Sequence, residues 1–188
     1  MKKIENLFEI TLKEKSGGWF FWFFLLFIPH LNLFSIFFIS NLLLASKIKN
    51  KKDKSFYYLP FTKKDVFFIL YFFLILLIFS TSFFNSLLIS RYSLKYILSP
   101  LIFSTAIYSI GIIASSLNGD NFAITILFII FDAILSNLGS SHLGANFNPY
   151  ILISPIRQES LIGSILFSLA LLFIAFKLYV GGESYVKN

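Results

Sequence analysis

Apolar residues run along this chain in long blocks separated by short polar clusters. Asp65–Ile89, Tyr96–Leu117 and Ile156–Val180 each have the length of a membrane-crossing helix, about 17–25 residues. Phe122–Leu138 is a shorter block of the same kind and carries Asp132. Asp65 suits a first helical turn, where the positive end of the helix dipole favours an acid. Turns are expected at Arg91–Lys95 and at Asn118-Gly119-Asp120-Asn121, from their turn-forming residues. Residues 139–155, with their Gly, Pro, Ser and Asn, read as an extracellular or re-entrant loop.

The first half of the chain is less regular. In residues 1–18, Ile4, Leu7, Phe8 and Leu12 recur at helical spacing, with Lys2, Lys3, Glu5, Glu9, Lys13 and Glu14 between them. That pattern predicts an amphipathic helix lying in the headgroup layer. Residues 19–46 are too long for one upright span and short for two, and Pro29-His30-Leu31-Asn32 breaks them near the middle. They form either a tight hairpin of two short spans or one long kinked helix.

Charge chooses between these. Four lysines fall in 1–18, seven in 47–64 and two in 177–188, 13 of the 16 basic residues. A hairpin puts all three pieces on one side of the membrane. A single span leaves only 9 of the 16 there, so the positive-inside rule prefers the hairpin. The expectation is an all-α integral membrane protein of about six transmembrane helices with an N-terminal interfacial helix and both termini cytoplasmic. Residues 1–188 then form one transmembrane domain: 1–18, the hairpin 19–46, a cytoplasmic loop 47–64, spans at 65–89, 96–117, 122–138 and 156–180, and the outer loop 139–155. A composition 57% hydrophobic and only 13% charged agrees with the bilayer as solvent. The net charge of +7 sits in short loops rather than on a basic folded face, which argues against nucleic acid as a partner. Abundant Lys, Ile, Asn and Phe suggest an AT-rich genome, and a multi-pass protein of a prokaryotic plasma membrane is expected.

Little in the chain carries chemistry. It has no cysteine and two histidines, His30 and His142, too few for an all-histidine metal site. It contains no G-x-x-x-x-G-K-[ST], H-E-x-x-H or G-x-S-x-G motif. No cofactor and no enzymatic activity of its own are expected. Asp132 is the intramembrane acid to weigh, because an acid at membrane depth costs about 2.5–3.5 kcal/mol and must face a partner or water. It is either a proton or substrate contact in a transport path, or a neutral, protonated acid, or one hydrogen-bonded to an Asn or Ser of a neighbouring helix. His142, with Asn146 and Asn148, is either part of a gate or ordinary loop polarity.

The loop 47–64 is the other candidate. A solvated lysine linker has no need of Phe56-Tyr57-Tyr58-Leu59-Pro60-Phe61 at its centre. Together with Lys54-Ser55, the stretch Leu59-Pro60-Phe61-Thr62-Lys63-Lys64-Asp65 before a span resembles the permease subunits of ATP-binding-cassette exporters of the type-2 class. That family commonly has Leu-Pro-Ile-Ser-Arg-Lys there. Asn148-Pro149-Tyr150 through Ser154-Pro155 before the last span, and Lys177 after Phe176 at its end, are similar to the family as well. The chain departs from it in carrying Lys47 and Lys49 where members often have an acid, and in its compact first hairpin.

The resemblance implies an exporter whose separate ATPase subunit docks on the loop 47–64. Phe56, Tyr57, Tyr58, Leu59, Pro60, Phe61, Thr62, Lys63 and Lys64 would form that contact, aromatic anchors within a lysine rim that steers an acidic partner. ATP hydrolysis would belong to that partner, and a second permease chain, identical or related, would complete the transporter. The alternative is a non-transporting membrane protein, either an accessory or assembly subunit of a larger complex or an immunity-type protein.

Overall fold

The computed structural model describes residues 16–28, 31–50, 62–88, 94–140 and 144–181. These form a helical bundle: α1 (Ser16–Leu25), α2 (Asn32–Lys49), α3 (Lys63–Leu88), α4 (Leu94–Ser116), α5 (Asn121–Asn137) and α6 (Leu161–Gly181). A short 3₁₀ turn, Pro149–Leu152, lies between α5 and α6. Four of the helices, α2, α3, α4 and α6, are long and apolar enough to cross a membrane. The expectation of about six spans is not reached among the described residues. The described part of α1 has 10 residues and α5 has 17, against the roughly 20 that an upright span takes.

The block 19–46 turns back on itself. After α1 the chain makes a turn through Leu26–Ile28, and α2 packs against α1. Trp22 stacks on Phe38 with centroids 3.9 Å apart. The Ser35 hydroxyl donates to the Trp22 carbonyl, and Asn85 Nδ2 on α3 donates to the Leu26 carbonyl at 3.0 Å. α2 also runs past residue 46, where the lysine loop was expected to begin, to Lys49, with Lys47 buried.

α4 is the centre of the bundle and packs against α2, α3, α5 and α6. Of its apolar window 67% is buried, against 17% for α6, so α6 leaves most of its surface exposed. Ile162, Leu166, Leu169 and Phe173 form that outer stripe at helical spacing. α3 does the same with Phe72, Leu76, Phe79 and Phe83, and buries Val66, Phe67, Leu70, Leu74 and Ile78. Its inner face then turns polar, with Thr81, Ser82, Asn85 and Ser86 buried towards its C-terminal end.

Contacts between turns sort the bundle into two ends. At one end Lys49 pairs with Asp120 in the α4–α5 turn, and Lys63 Nζ lies 3.5 Å from the Tyr179 carbonyl of α6. Asp120 also caps α5 by accepting from Ala123 N at 2.9 Å. The Lys49 contact, then the backbone N–H, holds its carboxyl below the usual range. Phe67 of α3, Tyr108 of α4, and Phe176 and Tyr179 of α6 pack together near this end. At the other end lie the α1–α2 turn, the last turn of α3 and the segment before α6, whose Gln158 Nε2 reaches the Ser99 carbonyl at 3.1 Å.

α2 contains one turn of π-helix, Asn41–Ala45, which shifts its backbone carbonyls out of regular register. The buried Asn41 donates from Nδ2 to the Phe37 carbonyl at 3.0 Å. Its Oδ1 accepts from the Thr125 hydroxyl at 3.2 Å, and its carbonyl from Asn121 Nδ2 at 3.4 Å, both on α5. α4 passes close by, because Gly111 has no side chain: a Cβ there would lie 2.6 Å from Asn41 Oδ1. Gly111→Ala therefore has to push α4 off α2 or break the Thr125 contact. It should cost about 1–3 kcal/mol, as overpacking does. Detergent-solubilised protein should melt several degrees lower, and an unchanged melting temperature would show that the helices approach less closely.

Candidate functional site

Where an apolar helix carries a buried acid, its partners decide what it can do. Asp132 lies on α5, 1% exposed, facing the segment 144–160 that connects to α6. Tyr150 Oη donates to its Oδ1 at 2.5 Å, and Ser154 Oγ donates to its Oδ2 at 2.6 Å. Both carboxyl oxygens are thereby engaged. Burial, and then the adjacent Asp132, hold the Tyr150 phenol well above its usual range, so it stays a donor at any physiological pH.

Ser154 is the hub of this site. Its hydroxyl oxygen accepts from Ile156 N at 3.3 Å and Arg157 N at 3.0 Å, while its proton goes to Asp132. Its carbonyl accepts from Ser164 Oγ of α6 at 2.7 Å and from Gln158 N at 3.1 Å. One buried serine thus ties α5, the connecting segment and α6 together. Ser154-Pro155 also delays the last helix: α6 starts at Leu161, five residues after the block expected from Ile156. Between them Gln158 takes a left-handed conformation, φ 52°, and donates to the Ser99 and Pro155 carbonyls.

The rest of the segment closes over the C-terminal end of α5. Gly139 leaves the helix at φ +92°, and a Cβ there would stand 2.6 Å from the Asn146 carbonyl oxygen. Ser140 and Asn146–Asn148 then exchange backbone hydrogen bonds of 2.7 and 2.8 Å. Asn148 Nδ2 caps the Leu135 carbonyl at 2.7 Å, and Arg157 Nη1 reaches Asn137 Oδ1 at 2.7 Å and the Ser136 carbonyl at 3.3 Å. A cation on the last carbonyls of a helix complements its dipole.

The sequence-derived candidates are distributed unevenly. Asp132 sits at the centre of this network. His142 and Phe56, Tyr57, Tyr58, Leu59, Pro60 and Phe61 lie outside the described residues. Thr62 and Asp65 form a reciprocal cap at the start of α3. Asp65 Oδ2 accepts from Thr62 N at 2.9 Å and Thr62 Oγ1 at 2.8 Å, while Asp65 N donates to Thr62 Oγ1 at 3.2 Å. Lys63 is directed at Tyr179, with its Nζ 5.6 Å from that ring's centroid, and Lys64 is exposed. Tyr150 and Ser154 were not singled out for Asp132. They lie 18 and 22 residues away from it, and only their place in a turn-rich segment before an apolar block pointed to them.

Chemically, the site is a latch. Its acid is surrounded by hydroxyl donors rather than by a base or an electrophile. Among the described residues no three His, Asp or Glu side chains converge as metal ligands would. No protein-family model, no curated protein and no solved structure matches the chain.

Asp132→Ala leaves the Tyr150 and Ser154 hydroxyls without their acceptor in a buried site. It should lower stability in detergent by about 2–3 kcal/mol. Asp132→Asn should cost less, because its oxygen can accept from Ser154 while its amide donates to Tyr150. Equal melting temperatures for wild type, Asp132→Ala and Asp132→Asn would show that the latch does not hold the segment.

Proposed function

We propose that the chain is the permease subunit of an ATP-binding-cassette exporter of the type-2 class, driven by a separate ATPase. In this reading the hairpin 19–46 supplies two short spans, and α5 with α3, α4 and α6 completes six. The lysine-rich end faces the cytoplasm with both termini, and the protein is a multi-pass component of a prokaryotic plasma membrane. A second permease chain, identical or related, completes the path.

The observation that carries the reading is the segment 144–160. It folds back on α5 and is bonded to Asp132 and to α6 before the last span begins. The resembling family has a re-entrant, Ser-Pro-containing piece at that position. The end-to-end sorting of the bundle adds support. Lys49, Lys63 and Lys64 share one end with the α4–α5 turn and the end of α6. A partner docking on loop 47–64 from that side would therefore touch the ends of several helices at once. The cap of Thr62 and Asp65 gives α3 a firm start through which such a push could pass.

The test is co-purification from native membranes in mild detergent. Wild type should bring down an ATPase with a P-loop, and Tyr58→Ala/Phe61→Ala should lose it while keeping its own melting temperature. If other membrane subunits appear and no ATPase does, the chain is an accessory component instead.

A further inference from the structure

α3 carries an apolar inner face for most of its length and a polar one near its C-terminal end. The polar stretch opens on a cavity of about 450 Å³ between α2, α3 and α4. Asn32, Ser82, Asn85, Ser86, Lys95 and Ser99 supply its polar lining. That volume falls within the range of small-ligand sites, about 300–1,000 Å³.

The cavity's polar side chains make few contacts with the protein, as do the buried hydroxyls of Ser40, Ser115 and Ser116 elsewhere in the bundle. Serine and threonine in an apolar helix ordinarily return the hydroxyl proton to a carbonyl one turn back. Ser80, Thr81, Thr105 and Ser109 all do so. The hydroxyls of Ser82 and Ser86, residues each 4% exposed, make no hydrogen bond among the described residues, although the same backbone carbonyls are within reach of any helical serine. The side chains of Asn32, Lys95 and Ser99 have none there either. Asn85 gives its amide to the Leu26 carbonyl and keeps Oδ1 without a partner. Asn85 Oδ1 is the lining atom that is fully buried without a partner; the other polar side chains open on the cavity, and such groups converging on one space suit a polar occupant.

The chemistry of the lining identifies that occupant. Lys95 is exposed and is the one cation among the described residues that line the cavity. Three serine hydroxyls, the Tyr96 phenol and two amides line the same space, and among the described residues no acidic side chain does. That set suits one anionic group with several oxygens. The position, beside the α1–α2 turn at one end of the spans, is where lipid headgroups lie. We infer that this cavity binds a glycerophosphate group: the phosphate on Lys95 and the serine hydroxyls, the glycerol hydroxyls towards Asn32. The group can come from phosphatidylglycerol or from free glycerol 3-phosphate. The site is built from α2, α3 and α4 alone, and it stands whether or not an ATPase docks at the opposite end.

The absence of cysteine from the chain makes a clean test available. In Ser86→Cys, the full-length protein in phosphatidylcholine nanodiscs has one thiol, and it sits in the cavity. Its rate of reaction with a charged methanethiosulfonate reagent is followed with added glycerol 3-phosphate, and again in nanodiscs containing phosphatidylglycerol. Labelling should slow about tenfold in at least one of the two, and Lys95→Gln in the same background should abolish most of that protection. Protection by glycerol 3-phosphate identifies a free solute as the source; protection only by the lipid identifies the headgroup. Ser80→Cys, on the outer face of α3, reports general shielding. No protection at position 86, protection that survives Lys95→Gln, or equal protection at position 80 would each overturn the assignment.

Discussion

A polar side chain inside an apolar bundle has to find its partner within the protein, because hydrocarbon offers none. The arrangement of this chain follows from how that requirement is met at three places. Asn41 joins α2 to α5 and leaves room for α4 only at a glycine. Asp132 joins α5 to the segment before α6. Asn85 joins α3 to the turn between α1 and α2. Apolar packing fills the space between these contacts, but it would tolerate many relative positions of the helices; hydrogen bonds of about 3 Å do not.

The same requirement explains the contrast between the ends of the bundle. At the lysine-rich end Lys49 pairs with Asp120 and Thr62 with Asp65 at the surface, around an aromatic core built on Phe67 and Tyr108, while the Ser115 and Ser116 hydroxyls of α4 make no contact among the described residues. At the opposite end the polar groups lie in two neighbouring sets. In one, Ser154, Asp132 and Tyr150 satisfy each other. In the other, across the Gln158–Ser99 contact, serines and a lysine surround a cavity and satisfy nothing within the described protein. One set holds a segment in place; the other is suited to hold something else.

A permease reading uses these features in a definite way. Docking at the lysine-rich end would act on the starts and ends of helices that are firmly capped there. The latched segment and the open cavity lie at the far end, where movement of α3 against α4 would change the cavity's width.

Much of the architecture was legible from residue pattern alone. Block length and hydropathy place α3, α4 and α5 within two residues of their expected limits, because a helix in hydrocarbon has to satisfy its own backbone. Pro29-His30 interrupts the block 19–46, and Asn118–Asn121 marks the α4–α5 turn, through local chemistry. The start of α6 was displaced from expectation because Ser154 is drawn to Asp132 and Gln158 to Ser99, contacts that span 22 and 59 residues. Asp132 itself could be picked out as an acid in need of a partner, but not which partner. The π-turn at Asn41 and the unpaired serines at 82 and 86 left no mark in the pattern: a serine on an inner helix face looks the same whether it bonds its own backbone or faces a cavity. Periodicity records which face of a helix is apolar, whereas the neighbour that face meets is decided only when the helices pack.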